Sequence, residues 1–277
     1  MELSIVVPVF DRANVLSRAV GSIPRDSNAE IVIVDDGSRD LTPEVVAALQ
    51  KENPSIIAVT LPENRGVNYA RNRGIERASG EWISLLDSDD EYVEGGVPQV
   101  LASLRSVPAD VDVVGFMTYR EVGGAMQLRG YRVGEQWREQ HPTYPEILFK
   151  DHVVGDIHYC VRRSIFAEGY AFFEYVNGFE SAFFAKLAKE GKKFLYLNVP
   201  IDRRYTGTYE HLSKEPYKRW PRQFAKAWRL FVQEHRAELS KRPAVLRDYY
   251  ARIGKTMLRY GDPAGLFWIA RSRFAAV

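Results

Sequence analysis

Three acids crowd the end of one apolar run: Asp87, Asp89 and Asp90 in WISLLDSDDEY, with Ser88 alone separating the first two. Carboxylates this close repel one another, so at neutral pH they call for a cation, a hydrogen-bonded ligand or free solvent. An Asp-x-Asp at a strand end suits a hard divalent cation that bridges to phosphate, because oxygen ligands and a few waters satisfy Mg²⁺ or Mn²⁺. Such a cation would neutralise a diphosphate leaving group as a Lewis acid. A solvated turn is the plainer reading of any one such cluster. Two more polar clusters close apolar runs, at Pro8-Val9-Phe10-Asp11 and at Asp35-Asp36-Gly37-Ser38. Asp36 could accept hydrogen bonds from a base or a ribose, while Asn64, Asn68, Arg71 and Asn72 offer donors.

Other chemistries lack their residues. No Gly-x-Gly-x-x-Gly follows the first apolar run, and no Walker-type Gly-Lys-Ser/Thr loop is present, so a nicotinamide, flavin or P-loop site is not expected. His141, His152, His158, His211 and His235 show no paired metal spacing. No Gly-x-Ser-x-Gly elbow occurs.

The elements that must position the acids follow from periodicity. Residues 5–9 and 31–34 are short β-branched runs, the pattern of strands buried on both faces of a parallel sheet. Residues 13–23 place Leu16, Ala19, Val20 and Ile23 at helical spacing, and Thr42-Pro43 opens a second helix over 42–50. A third strand is expected over 56–61 and a helix over 67–78, with Gly80 as its left-handed cap. Residues 82–86 form the fourth strand. This alternation implies right-handed crossovers and a doubly wound α/β sheet, whose ligands sit beyond the carboxyl ends of the strands. All three polar clusters then share one rim, which three independent solvated turns explain less well. Further strands are expected over 111–119, 157–161 and 193–199, a hairpin turn at Gly123-Gly124, and a helix over 180–190.

The totals are those of an ordinary globular protein: 45% hydrophobic and 27% charged residues. One cysteine, Cys160, excludes an intrachain disulfide and a Cys-based zinc site, and suits a reducing cytoplasm. MELSIVVPVF reads as a strand and not a signal peptide, and no apolar run approaches a membrane span. The net charge of +2 hides an asymmetry, because residues 213–277 carry 15 Lys and Arg against 5 acids. Trp220, Phe224, Trp228 and Phe231 recur there at helical spacing among Lys218, Arg219, Arg222, Lys226 and Arg229. Such a stripe is either the core of a helical subdomain or a basic amphipathic surface for anionic lipid, and one helix can be both.

SIVVPVFDR, IVIVDDGSRD, NRGVNYARNRGIERASGEWISLLDSDD and NGFESAFFAKLAKEGKKFLYLNVPIDRRY occur in this order. Together they resemble the family 2 glycosyltransferases over residues 1 to about 213. The resemblance implies a GT-A fold, Rossmann-like with a mostly parallel central sheet. Residues 1–212 would be catalytic (1–110 nucleotide-binding, 111–212 on the acceptor side), with 213–277 a basic helical extension. It implies transfer of a hexosyl group from a nucleotide diphospho-sugar, UDP-linked above all, to a hydroxyl of a saccharide or lipid-linked acceptor. The anomeric centre would be inverted and Mn²⁺ or Mg²⁺ required. The family's habits point to surface polysaccharide or glycolipid synthesis in the cytoplasm, at the inner face of the membrane, with no nucleic acid involved.

Carried over by position, Pro8 and Phe10 would line the nucleotide pocket and Asp36 would contact the nucleobase. Arg71 would help hold the nucleotide, with Asn64 and Ser88 in the same donor site. Asp87 would meet the ribose or the metal's water shell, Asp89 would ligand the metal, and Asp90 would sit behind it or cap the succeeding segment. Inversion needs a base opposite the leaving group. The family places it in a Glu-Asp pair opening a helix, whereas this chain has Glu180-Ser181. Glu180 is therefore the candidate base, with Asp156 and Glu174 behind it. His211 would ligand the metal or touch phosphate, Arg203 and Arg204 would clamp phosphate, and His158 and Tyr159 would line the acceptor side. Two rivals remain: a nucleotide-sugar-binding protein without a base, which Ser181 favours, and a phosphohydrolase of the Asp-x-Asp type, which expects its nucleophile on the first strand.

Overall fold

The computed structural model describes residues 1–205 and 216–274. The strands are β1 (Leu3–Val9), β2 (Ala29–Asp35), β3 (Ile57–Thr60), β4 (Trp82–Leu85), β5 (Glu91–Tyr92), β6 (Val113–Val122), β7 (Ala125–Tyr131), β8 (Glu139–Gln140), β9 (Val153–Val154), β10 (His158–Arg162) and β11 (Phe194–Arg204). The longer helices are α1 (Ala13–Gly21), α2 (Thr42–Glu52), α3 (Val67–Arg77) and α4 (Gly96–Ser106), then the short α5 (Tyr144–Phe149) and α6 (Arg163–Ala167), and α7 (Glu180–Lys189). After residue 215 come α8 (Pro216–Arg219), α9 (Pro221–Glu234), α10 (Arg236–Leu239), α11 (Pro243–Arg259) and α12 (Gly265–Phe274).

The central sheet runs β3-β2-β1-β4-β10-β6-β11-β5. Its β3-β2-β1-β4 part is parallel, as is β6-β11, while β10 enters antiparallel between β4 and β6. The β-branched run of β1 is buried throughout because both sheet faces are covered. Leu3, Ile5, Val7 and Val9 join a core with Leu16 of α1 and Val100 of α4, whereas Val6 joins one with Ala70 of α3 and Phe183 of α7. Gly123 and Gly124, both at positive φ (60° and 81°), turn β6 into β7 as expected.

Gly80 corrects the sequence reading. Its φ is not positive, and α3 ends at an extended Ala78. The glycine is required by close approach instead: a Cβ there would lie 2.6 Å from the Ser4 nitrogen. In β11 the register to β6 shifts on both sides of Pro200, which has no N–H to give to the ladder. The irregularity re-aims the strand's last residues.

The chain divides into two compact units, Met1–Phe172 with Phe183–Tyr209, and Phe173–Ala182 with Glu210–Val277. The boundary falls inside α7. In the second unit Phe224, Trp228 and Phe231 are buried together with Leu246, Tyr250 and Ile253 of α11. Those three members of the aromatic stripe are therefore core, while Trp220 is half-buried. α11 meets α12 where Gly254 faces Gly265, and a Cβ on either would come within 2.7 Å of the other's carbonyl oxygen.

Candidate active site

The three strand-end loops do lie on one rim, because β1, β2 and β4 are parallel neighbours. Asp36 N–H donates to the Val9 carbonyl (2.9 Å). Asp11, at φ 49°, accepts at Oδ1 from Arg39 N–H (2.7 Å) and donates its own N–H to Ser38 Oγ (3.0 Å). The β1 and β2 loops are thus laced together beneath Pro8, which is buried, and Phe10, which is half-buried.

Asp36 is buried and takes backbone N–H groups on both carboxylate oxygens, from Arg65 (2.9 Å) and Gly66 (2.7 Å) at the start of α3. Burial pushes its carboxyl above the usual aspartate range, against the pull of those two donors. Its neighbour Asp35 accepts from Ser38 N–H (2.9 Å) at Oδ1, while the buried Oδ2 finds no partner among the described residues. Asn64 is exposed on the loop between β3 and α3, next to Arg65.

Arg71 of α3 reaches under the fourth strand's end. Its guanidinium is buried and donates to Asp87 Oδ1 at 2.8 Å and to Asn68 Oδ1 at 3.3 Å. Asp87 keeps 42% of its side chain exposed, so the pair opens to solvent on the acid's side. Desolvation raises the Asp87 carboxyl, but the guanidiniums of Arg71 and Arg204 outweigh it and hold the group below its ordinary value. Ser88 is buried, and the Asp89 carbonyl accepts from Arg18 Nη2 (2.6 Å). Asn72 does not serve the crevice as expected: its amide is engaged both ways with the Phe172 backbone, at 2.9 and 3.0 Å.

Behind the rim lies a network that the sequence reading missed. Asp90 is buried, and desolvation with the charges of Asp87, Asp89 and Asp202 lifts its carboxyl well above normal against the pull of Arg204. Arg204 is the hub: its Nε lies 3.3 Å from Asp202 and 4.0 Å from Asp90, and its Nη1 lies 3.8 Å from Asp156. Burial opposes its charge, but the surrounding acids overcome this and raise its pKa. Asp202 in turn accepts at Oδ2 from His158 Nδ1 (2.9 Å), whose Nε2 meets Ser84 Oγ at 2.6 Å. His158 is 1% exposed, so it cannot line an acceptor surface; it ties β10 to β4 and β11. Tyr159 stacks on Phe184 at 3.8 Å, and burial lifts its hydroxyl to about 12. Arg203 pairs with Glu91 (3.6 Å) on the opposite face of β11. One signal was available: a lone Asp202 inside an apolar strand, flanked by Ile201 and followed by Arg203-Arg204.

Asp156 is held between Arg120 (2.9 Å) and Arg204 (3.8 Å), which leaves it little freedom to serve as a base. Glu180 opens α7, in the second unit, and Glu174 precedes it there on an exposed turn. His211 lies outside the described residues. Among the described residues no three His, Cys, Asp or Glu side chains form a ready-made metal cage.

Comparisons with known proteins identify the family and the fold. Residues 4–169 match the family model described as Glycosyl transferase family 2. GlyG, a glycosyltransferase of Streptococcus pneumoniae, is 31% identical over 148 residues, 53% of this chain and 48% of that protein. A Campylobacter jejuni GalNAc(5)-diNAcBac-PP-undecaprenol beta-1,3-glucosyltransferase is 38% identical over 104 residues, covering 36% and 33%. The chain thus spans less than half the length of these curated relatives. S. aureus TarS 1–349, solved in complex with UDP-GlcNAc, superposes with a TM-score of 0.67 at 17% identity, over 99% of this chain and 89% of that one. This likeness shows the GT-A fold, and with more than half of the sequence matched by the family model, the chain belongs to glycosyl transferase family 2.

Proposed function

We propose that the chain is an inverting glycosyltransferase moving a sugar from a nucleotide diphospho-sugar to a hydroxyl of a saccharide or lipid-linked acceptor. The observation that carries this reading is the buried Arg71 guanidinium holding Asp87 at the end of β4, on the rim shared with Asp36. Asp36 and the β1 loop would grip the base and ribose, and Arg71 would fix Asp87 against the nucleotide. UDP is the nucleotide favoured, because TarS was solved with UDP-GlcNAc on a similar fold. Relatives named for undecaprenol-linked and teichuronic acid products favour a surface-polysaccharide setting.

A divalent cation that takes one or two carboxylates and completes its shell with diphosphate and water fits the Asp87-Ser88-Asp89 edge, where no all-protein cage is present among the described residues. Asp89 would hold it, with His211 as a further ligand, and bound Mn²⁺ or Mg²⁺ would supply neutralisation of the leaving diphosphate. Glu180 would accept the acceptor hydroxyl's proton at its carboxylate. No helix among the described residues is long and apolar enough to cross a membrane. The basic second unit, with Leu266 (63%) and Phe267 (58%) exposed, would meet anionic lipid peripherally.

The test is nucleoside diphosphate release from a panel of nucleotide sugars with Mn²⁺, for wild type and Glu180→Gln. Ser181 favours one alternative, a binding module without a base. Donor binding with no release from any donor, equal in both proteins, would establish that alternative.

A further inference from the structure

We infer that Phe179 is a positioning residue for Glu180, locked into a left-handed conformation by the ring of Phe231. This rests on the reading of Glu180 as the base. Gly178, Phe179, Glu180, Phe231, His235 and Tyr249 all lie within the second unit.

Gly178 (φ 80°) and Phe179 (φ 66°) are consecutive left-handed residues immediately before α7. Glycine adopts that region freely, but a bulky L-residue does so only when its surroundings impose it. The residue that starts a helix ordinarily has extended dihedrals, which makes the conformation here doubly unusual. The Phe179 carbonyl nevertheless closes the first turn, accepting Ala182 N–H at 3.0 Å. The left-handed residue is therefore the one that aims Glu180.

The compensating contact is aromatic. The Phe179 ring sits 5.2 Å from that of Phe231, tilted by 59°. Phe231 is 4% exposed on α9 and is itself fixed by His235 at 4.5 Å and by Tyr249 of α11 at 5.3 Å. Were Phe179 to relax to an extended φ, the Cα–Cβ direction of Glu180 would swing with the turn. A base must lie within hydrogen-bond reach of its proton, and a misplacement of about 1 Å can cost on the order of 100-fold in rate. Strained residues of this kind persist where the fold over-determines them, which the aromatic cluster does.

Two measurements on the full chain test the inference. Hydrogen exchange of the segment spanning residues 179–184 needs no donor. In Phe179→Ala and Phe231→Ala its protection should fall about tenfold or more, with α3 unchanged as the internal control, and Phe179→Tyr should restore it. Unchanged protection in both alanine variants overturns the inference. With any donor that wild type turns over, Phe179→Ala should lower kcat about 10- to 100-fold and leave the donor KM within about twofold. A wild-type kcat, or a loss carried by KM instead, also overturns it. Glu180→Gln separates the two claims: full activity there removes the base reading, while the exchange data still decide whether Phe231 holds the turn.

Discussion

Strand β2 carries a buried carboxylate at each end, and the two are treated in opposite ways. Glu30, near its start, is met by four donors: Ser4 Oγ, Ser79 N–H, Ser79 Oγ (3.0 Å) and Gly80 N–H (3.2 Å). Desolvation raises its carboxyl, but these hydrogen bonds prevail and hold it below the ordinary glutamate value. Asp36, just past the strand's other end, has two donors and a carboxyl raised by burial, beside an Asp35 oxygen with no partner among the described residues. At Glu30, which only holds the fold together, the donors leave neither carboxylate oxygen without a partner. At the carboxyl end of the strand the acids are left shorter of donors, which under the proposed function is capacity a nucleotide would use.

The largest effect expected from that contrast is on turnover. Asp89→Asn should lower nucleoside diphosphate release by about 100- to 1,000-fold and weaken nucleotide binding in Mn²⁺, while the melting temperature stays within about 2 °C. Normal turnover would make the cluster a turn and nothing more. At the structural end the pattern should reverse. Glu30→Gln removes a charged acceptor from a buried site and should cost about 2–3 kcal/mol, a fall in Tm of about 4–10 °C, with turnover at 25 °C unchanged.

The pH dependence sharpens the same comparison. Because the folded value of Glu30 is depressed, its contribution is present above the unfolded value near 4.5 and is lost as pH falls through the folded value. Asp36 has the opposite sign: its folded value is raised, so its ionisation opposes folding at neutral pH and that opposition is relieved as pH falls through the folded value. Chemical denaturation from pH 7 to pH 3 should therefore lose less stability in Glu30→Gln than in wild type, and lose more in Asp36→Asn. Equal slopes in all three proteins would erase the distinction. The smallest effect is a control: Arg25→Ala breaks an ion pair with Glu52 whose partners are 65% and 61% exposed, and should change stability by less than about 0.5 kcal/mol.

The first ninety residues were legible because their strands are buried on both faces and their helices alternate with them, so local pattern and global topology agree. The rim acids were legible for the same reason: strand ends in a parallel sheet point one way. What escaped depends on long-range register. Nothing local says that β10 slots antiparallel between β4 and β6, yet that pairing alone buries His158 against Ser84. The register of β11 to β6 breaks on both sides of Pro200, and an irregular ladder has no sequence period to reveal that Arg204 beyond it reaches both Asp202 and Asp156. Gly80 misleads because close backbone approach and a left-handed cap ask for the same residue. Asn72 sits one position from Arg71 and looks equally available until Phe172 claims its amide.

Ser84, His158 and Asp202 form a hydroxyl–imidazole–carboxylate relay with the spacing of a hydrolase triad, 2.6 and 2.9 Å. Every member is within 1% of full burial, and Tyr92 closes over the serine with its own hydroxyl at 2.7 Å. A geometric search for nucleophiles would flag this trio, and a serine-directed acylating reagent would find nothing to modify. The arrangement rivets three strands, β4, β10 and β11, to one another. Between a nucleophile and a rivet the atoms can be identical; the difference is whether a substrate can ever arrive.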